Sequence, residues 1–251
     1  MFTTVRGKKI YYEIEGVGEP LLLVHGWGGT SKSLKPLAEL LSKSYKTILL
    51  DLPGFGQSED PNPDWGVGEY TGFLEEFIET LNDQLPISNN QSKPKLFVVG
   101  HSFGGALGIQ LAVNRPDMIE KLVLLAPSFK RSKYTPSLAT RLLKPLFGHV
   151  PLVKIMYYKV FYPSSDLLKH PRLEPNFRKI LADDLSDTVA RVKAPTLILW
   201  GQTDKYVPVE DAKILNDKIE GSTLKIYEDK GHGLPLFHPQ VVAEEIEMFL
   251  K

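Results

Sequence analysis

Leu96-Phe97-Val98-Val99-Gly100-His101-Ser102-Phe103-Gly104-Gly105-Ala106 decides how the rest of the chain is read. Residues 96–99 form an apolar run too short for a helix, and a helical pattern opens at Ala106, so the stretch reads as strand, tight turn and helix. A serine at the centre of such a turn sits in strained backbone. The residues two before and two after it must then be small for strand and helix to approach, and Gly100 and Gly104 meet that need.

Working outward, short apolar runs recur at residues 21–24, 47–50, 122–125, 196–200 and near 224–227, and they read as buried strands. Weaker strands at 3–5 and 10–14, with a turn at Arg6-Gly7-Lys8, are expected to pair as an antiparallel edge. Helical patterns lie between them. Tyr70, Phe73, Leu74, Phe77, Ile78 and Leu81 share one helix face, and further helices are expected near 210–219 and from Pro239. This alternation implies an α/β fold, a mostly parallel sheet covered by helices on both faces, with ligands binding at the carboxyl ends of the strands.

The alternation is interrupted. Residues 128–190 show no convincing strand, and they carry aromatic and leucine clusters (Leu142, Leu143, Leu146, Phe147; Met156, Tyr157, Tyr158, Phe161, Tyr162). The expected structure is a helical cap over the mouth of the sheet, broken into short helices by Pro145, Pro151, Pro163, Pro171 and Pro175. The chain is thus divided into a core at 1–126 and 191–251 and a cap at 127–190. Eleven Lys or Arg against five Asp or Glu make the insertion basic, which reads first as solubilising charge on short amphipathic helices. Residues 88–94 read as a surface loop.

Composition narrows the function. Thirty basic residues balance thirty acidic ones, which gives nothing for nucleic acid to bind. The absence of cysteine rules out disulfides, thiolate metal sites and a cysteine nucleophile. Residues 1–9 lack the apolar stretch of a secretory signal and no run reaches bilayer length, so a cytoplasmic protein without a membrane span is expected.

A serine hydroxyl is a weak nucleophile at neutral pH and needs a base, which in turn needs an orienting acid. Asp204 follows the strand at 196–200 and His232 follows the strand near 224–227, which places both on the rim that carries Ser102. Glu228 and Asp229 are the competing acids. Asp204 is preferred because it starts from a separate strand end and approaches the imidazole from behind. His25 and His101 read as residues that shape loops, and His149, His170 and His238 as solvated or capping. An oxyanion would be held by two main-chain amides, one from Phe103 and one from the loop His25-Gly26-Trp27-Gly28-Gly29-Thr30, where Trp27 is the chosen donor. That loop lacks the Gly-Lys-Ser or Gly-Lys-Thr ending of a phosphate-binding loop. No metal or organic cofactor is needed for this chemistry.

These pieces together resemble the α/β-hydrolase superfamily over nearly the whole chain. The resemblance rests on His25-Gly26-Trp27-Gly28-Gly29, Asp51-Leu52-Pro53-Gly54-Phe55-Gly56-Gln57-Ser58, Gly100-His101-Ser102-Phe103-Gly104-Gly105, Gly201-Gln202-Thr203-Asp204 with Val207-Pro208, and Gly231-His232-Gly233. It implies an eight-stranded sheet, a Ser102–His232–Asp204 triad, a nucleophile elbow of Gly100, His101 and Gly104, a helical cap after the sixth strand, and a purely structural role for residues 51–58. Serine at 102 sets the chain apart from relatives with an aspartate nucleophile, such as dehalogenases and epoxide hydrolases. Phe103 stands where proline iminopeptidases commonly carry tryptophan, and His101 where many carbon–carbon hydrolases carry asparagine. The expected activity is hydrolysis of a small or medium carboxylic ester through an acyl-enzyme. A lactonase, carbon–carbon hydrolase or perhydrolase on the same triad, and a binding protein with an idle triad, are the alternatives.

Overall fold

The computed structural model describes residues 1–81, 85, 95–131 and 170–251. The eight strands are β1 (Phe2–Val5), β2 (Lys8–Glu15), β3 (Pro20–Val24), β4 (Lys46–Leu50), β5 (Leu96–His101), β6 (Ile119–Leu125), β7 (Thr196–Gly201) and β8 (Thr223–Tyr227). They form one sheet in the order β1-β2-β4-β3-β5-β6-β7-β8. β1 and β2 are antiparallel and β2 runs antiparallel to β4, while every later neighbour is parallel. Val5 pairs with Lys8 across a two-residue turn in which Arg6 (φ 50°) and Gly7 (φ 71°) both lie in the left-handed region, the geometry that matches strand twist in a hairpin.

Alternate residues along each parallel strand face opposite sides, so both faces are apolar. Leu22, Val24, Ile48, Leu50, Val98, Leu122, Leu124, Ile198 and Trp200 pack on one face with α2 (Val67–Thr80), α3 (Phe103–Asn114) and the helix Glu210–Lys218. Their odd-numbered neighbours Leu21, Leu23, Leu49, Phe97, Val99, Val123, Leu125, Leu197 and Leu199 pack on the other with α1 (Ser31–Leu41) and the helix Pro239–Leu250. The six residues expected on one face of α2 are all buried.

The described part of the insertion holds α4 (Glu174–Ala182) and two short 3-10 turns, Pro171–Leu173 and Val189–Arg191. Pro171 and Pro175 stand in the first turns of their helices, where the missing N–H costs nothing, so they start helices rather than interrupt them. α4 is clamped to the chain before α2: Asn176 Nδ2 donates to the Asn62 and Trp65 carbonyls at 2.7 and 3.1 Å, and Asp183 Oδ2 accepts from Val67 N at 2.8 Å. The two ends of the insertion meet where Leu185 N donates to Phe129 O at 2.8 Å. The aromatic and leucine clusters at 142–162, Pro145, Pro151, Pro163, His149 and the loop at 88–94 lie outside the described residues. Among the described residues no helix is long and apolar enough to cross a membrane.

Candidate active site

Ser102 sits between β5 and α3 at φ 53° and ψ −114°, a conformation that a non-glycine residue holds only when its surroundings enforce it. The enforcement is visible. Ser102 N donates to Leu125 O at 2.9 Å, and Ser102 O accepts from Gly105 N at 3.0 Å and Ser128 N at 3.1 Å. A Cβ on Gly104 would lie 2.2 Å from Val24 O, and one on Gly100 would lie 2.4 Å from Gly104 O, so any larger residue would force strand and helix apart.

Asp204 lies in the turn that leaves β7. Its Oδ1 accepts from Tyr206 N at 2.8 Å and Val207 N at 2.9 Å, and its Oδ2 accepts from His232 Nδ1 at 2.7 Å. The side chain has no exposure to solvent. Burial alone would raise its pKa, but the hydrogen bonds from His232, Val207 and Tyr206 outweigh it and hold the carboxyl below its usual range, so it is ionised. With Nδ1–H given to Asp204, the neutral ring keeps Nε2 free to accept a proton. Of the competing acids, Asp229 is 77% exposed and paired with Lys230, and Glu228 is exposed as well.

His101 ties this pair to the serine turn. Its Nε2–H donates to His232 O at 2.9 Å, and the two rings lie 4.9 Å apart. Burial, aided by the nearby His232, lowers the His101 pKa to about 3, so the ring is neutral and no second positive charge opposes a protonated His232. Sequence reading places His101 in a loop-shaping role. Nothing in the sequence signals its contact with a residue so far along the chain.

The Trp27 loop lies against the serine, since a Cβ on Gly26 would come within 3.1 Å of Ser102 Cβ. Gly26 O accepts from Gly29 N at 3.0 Å and from His25 Nδ1 at 2.8 Å, while His25 Nε2 accepts from Leu52 N at 3.0 Å. Burial lowers the His25 pKa to about 4, which keeps the ring in this neutral form. Because the peptide is trans, fixing the Gly26 carbonyl points the Trp27 N–H the opposite way. The Phe103 N–H opens α3, where no intrahelical acceptor exists. Neither amide donates to another group among the described residues. The Trp27 ring is surrounded by Phe55, Phe103 and Phe177 at centroid distances of 5.0, 5.7 and 5.1 Å.

Asp51 and Ser58 are engaged in structure. Asp51 accepts from Ser31 N at the start of α1 at 2.7 Å and from Gln57 N at 2.8 Å, and Ser58 Oγ donates to Asp51 O at 2.6 Å. His170 precedes the short turn Pro171–Leu173 and His238 the helix Pro239–Leu250, and the His170 ring stands 5.2 Å from Phe55. Tyr206, 5.2 Å from the His232 ring and 67% exposed, is a neighbour of the site that sequence reading missed. Lys130, Arg172, Arg178 and Lys179 of the basic insertion pair with Asp211, Asp60, Glu174 and Glu69, which fits bracing rather than ligand capture. Among the described residues no three His, Asp or Glu side chains converge as a metal site would require.

Comparison with known proteins places the chain in a family. Residues 21–245 match the model of a family described as the alpha/beta hydrolase family. The chain is 29% identical to 2-hydroxy-6-oxononadienedioate/2-hydroxy-6-oxononatrienedioate hydrolase of Escherichia coli, over 96% of this chain and 91% of the relative. It is also similar to a solved serine hydrolase involved in carbazole degradation, with a TM-score of 0.76 and 25% identity over 100% of this chain and 97% of the other. A third similar structure, Est816, described as an N-acyl homoserine lactone degrading enzyme, gives a TM-score of 0.78 at 21% identity over 99% and 100% of the two chains.

Proposed function

Given that the chain belongs to the α/β-hydrolase family, we propose that it is a serine hydrolase cleaving a small or medium carboxylic ester through an acyl-enzyme. The observation that carries this reading is the 2.7 Å contact of His232 Nδ1 with a sealed, ionised Asp204, on the rim where Ser102 is held in a strained turn. His232 Nε2 takes the Ser102 proton as Oγ bonds to the carbonyl carbon. The oxyanion is held by the Trp27 and Phe103 amides, a type of contact worth about 3 kcal/mol per donor in the transition state. Protonated His232 then gives its proton to the leaving alcohol as the ester C–O bond breaks. In the second half, His232 takes a proton from water, the hydroxide adds to the acyl carbon, and Ser102 leaves with the proton returned to it. Asp204 stays ionised opposite the imidazolium throughout. In this reading residues 127–190 cap the site and residues 1–126 and 191–251 form the core.

A second reading, carbon–carbon hydrolysis of a dienedioate on the same residues, is favoured by the Escherichia coli relative. The two separate on a substrate panel of p-nitrophenyl butyrate, an N-acyl homoserine lactone and 2-hydroxy-6-oxononadienedioate, each assayed with wild type and Ser102→Ala. The ester reading expects the ester to show the highest kcat/KM and to lose it in the variant. A dienedioate preferred by more than about tenfold would transfer the assignment to the second reading.

A further inference from the structure

Trp27 Nε1 is buried and has no hydrogen-bond partner among the described residues. Buried donors are nearly always paired, so an unpaired one beside a reacting centre needs an explanation. Among the described residues the surroundings offer none. The Phe55, Phe103 and Phe177 rings pack against the indole, and none of these side chains carries an acceptor oxygen. These rings hold the indole in place. Phe103 and Phe55 are almost fully buried, and Phe177 is carried by α4, whose neighbouring Asn176 and Asp183 are bonded to the chain around Trp65 and Val67. An apolar box needs only a ring, and phenylalanine would fill it without an orphaned donor.

Resting on the reading of Ser102 as the nucleophile, we propose that the Trp27 indole N–H binds substrate, and that the site therefore takes acyl groups with an ether, keto or hydroxyl oxygen a few bonds from the reacting carbonyl. The location follows from covalent reach. In the reading above the main-chain N–H of Trp27 holds the oxyanion, and the indole N–H is only a few covalent bonds from that nitrogen. The donor is held in place before substrate arrives, so little ordering is needed on binding. A site built to hydrogen-bond a substrate oxygen discriminates against the analogue that lacks it, because that analogue leaves the donor unpaired.

The test uses matched esters that differ by one oxygen for one methylene: p-nitrophenyl methoxyacetate against butyrate, and 3-methoxypropanoate against pentanoate. kcat/KM is measured for each with wild type, Trp27→Phe, and Trp27→benzothienylalanine, which keeps the bicyclic ring without the N–H and guards against a folding defect in the first variant. The readout is the change in the ether-to-alkyl ratio from wild type to variant, in which intrinsic ester reactivity and any general loss of activity cancel. The ratio is expected to fall about tenfold in both variants for at least one pair, the effect of one hydrogen bond. A ratio unchanged in both pairs overturns the inference while leaving Ser102 as nucleophile. Turnover of all four esters that survives Ser102→Ala, or no turnover at all, overturns the functional reading and the inference with it.

Discussion

Asp204→Asn changes one atom of the side chain and reverses one hydrogen bond. Oδ1 of the amide should still accept from Tyr206 N and Val207 N, which stand 2.8 and 2.9 Å from Asp204 Oδ1, so the side chain keeps its orientation and the new NH₂ faces His232 Nδ1. Two donors cannot face each other at 2.7 Å, so the imidazole must carry its proton on Nε2 instead. Nε2 is then unable to accept the Ser102 proton, and the imidazolium that forms later loses its counter-charge. Both losses fall on the transition state, so kcat should drop by about 10⁴-fold, equivalent to about 5 kcal/mol, with little change in KM. The assay is steady-state hydrolysis of p-nitrophenyl butyrate at neutral pH, with Asp229→Asn as the control. Asp229 is 77% exposed and bonded to Lys230, so its amide should leave the rate within about twofold of wild type. An Asp204→Asn enzyme within about tenfold of wild type, or an equal loss in Asp229→Asn, would refute the reasoning.

Two further outcomes follow from the same structure. His25 and His101 have folded pKa values of about 4 and about 3 against 6.5 unfolded, so the unfolded chain binds more protons as pH falls. The stability their neutral forms give is fully present above about pH 6.5 and shrinks below it, by about 2 kcal/mol each on reaching pH 5. Urea midpoints across that range should show the loss, and His101→Asn should flatten the slope; parallel slopes in wild type and variant would count against the buried neutral ring. Gly104→Ala places a Cβ where Val24 O stands 2.2 Å away, and should destabilise by about 3 kcal/mol with loss of esterase activity. An unchanged melting temperature in that variant would contradict the close approach of strand and helix.

The sheet was legible because strand burial on both faces leaves continuous apolar runs such as residues 21–24 and 122–125. The α2 stripe was legible because Phe73, Leu74, Phe77 and Ile78 recur at helical spacing. The helix Leu234–Phe237 was not read, since four residues with a proline at the second carry no period. The amphipathic signal of α1 exists at Leu34, Leu37, Ala38 and Leu41, but Pro36 in its interior argues against it. The contact between Asp204 and His232 is legible because strand ends on one rim bring the turns that follow them together. The role of His101 as a brace on His232, and the orphaned donor of Trp27, depend on distances across the fold that no local pattern encodes.

The central claim is that Ser102 becomes covalently acylated, and the most direct measurement is mass spectrometry of the protein after reaction with a fluorophosphonate. The account expects a single adduct, mapped to the peptide containing Ser102 and absent from Ser102→Ala. An adduct on another residue, or labelling that persists in Ser102→Ala, would contradict it.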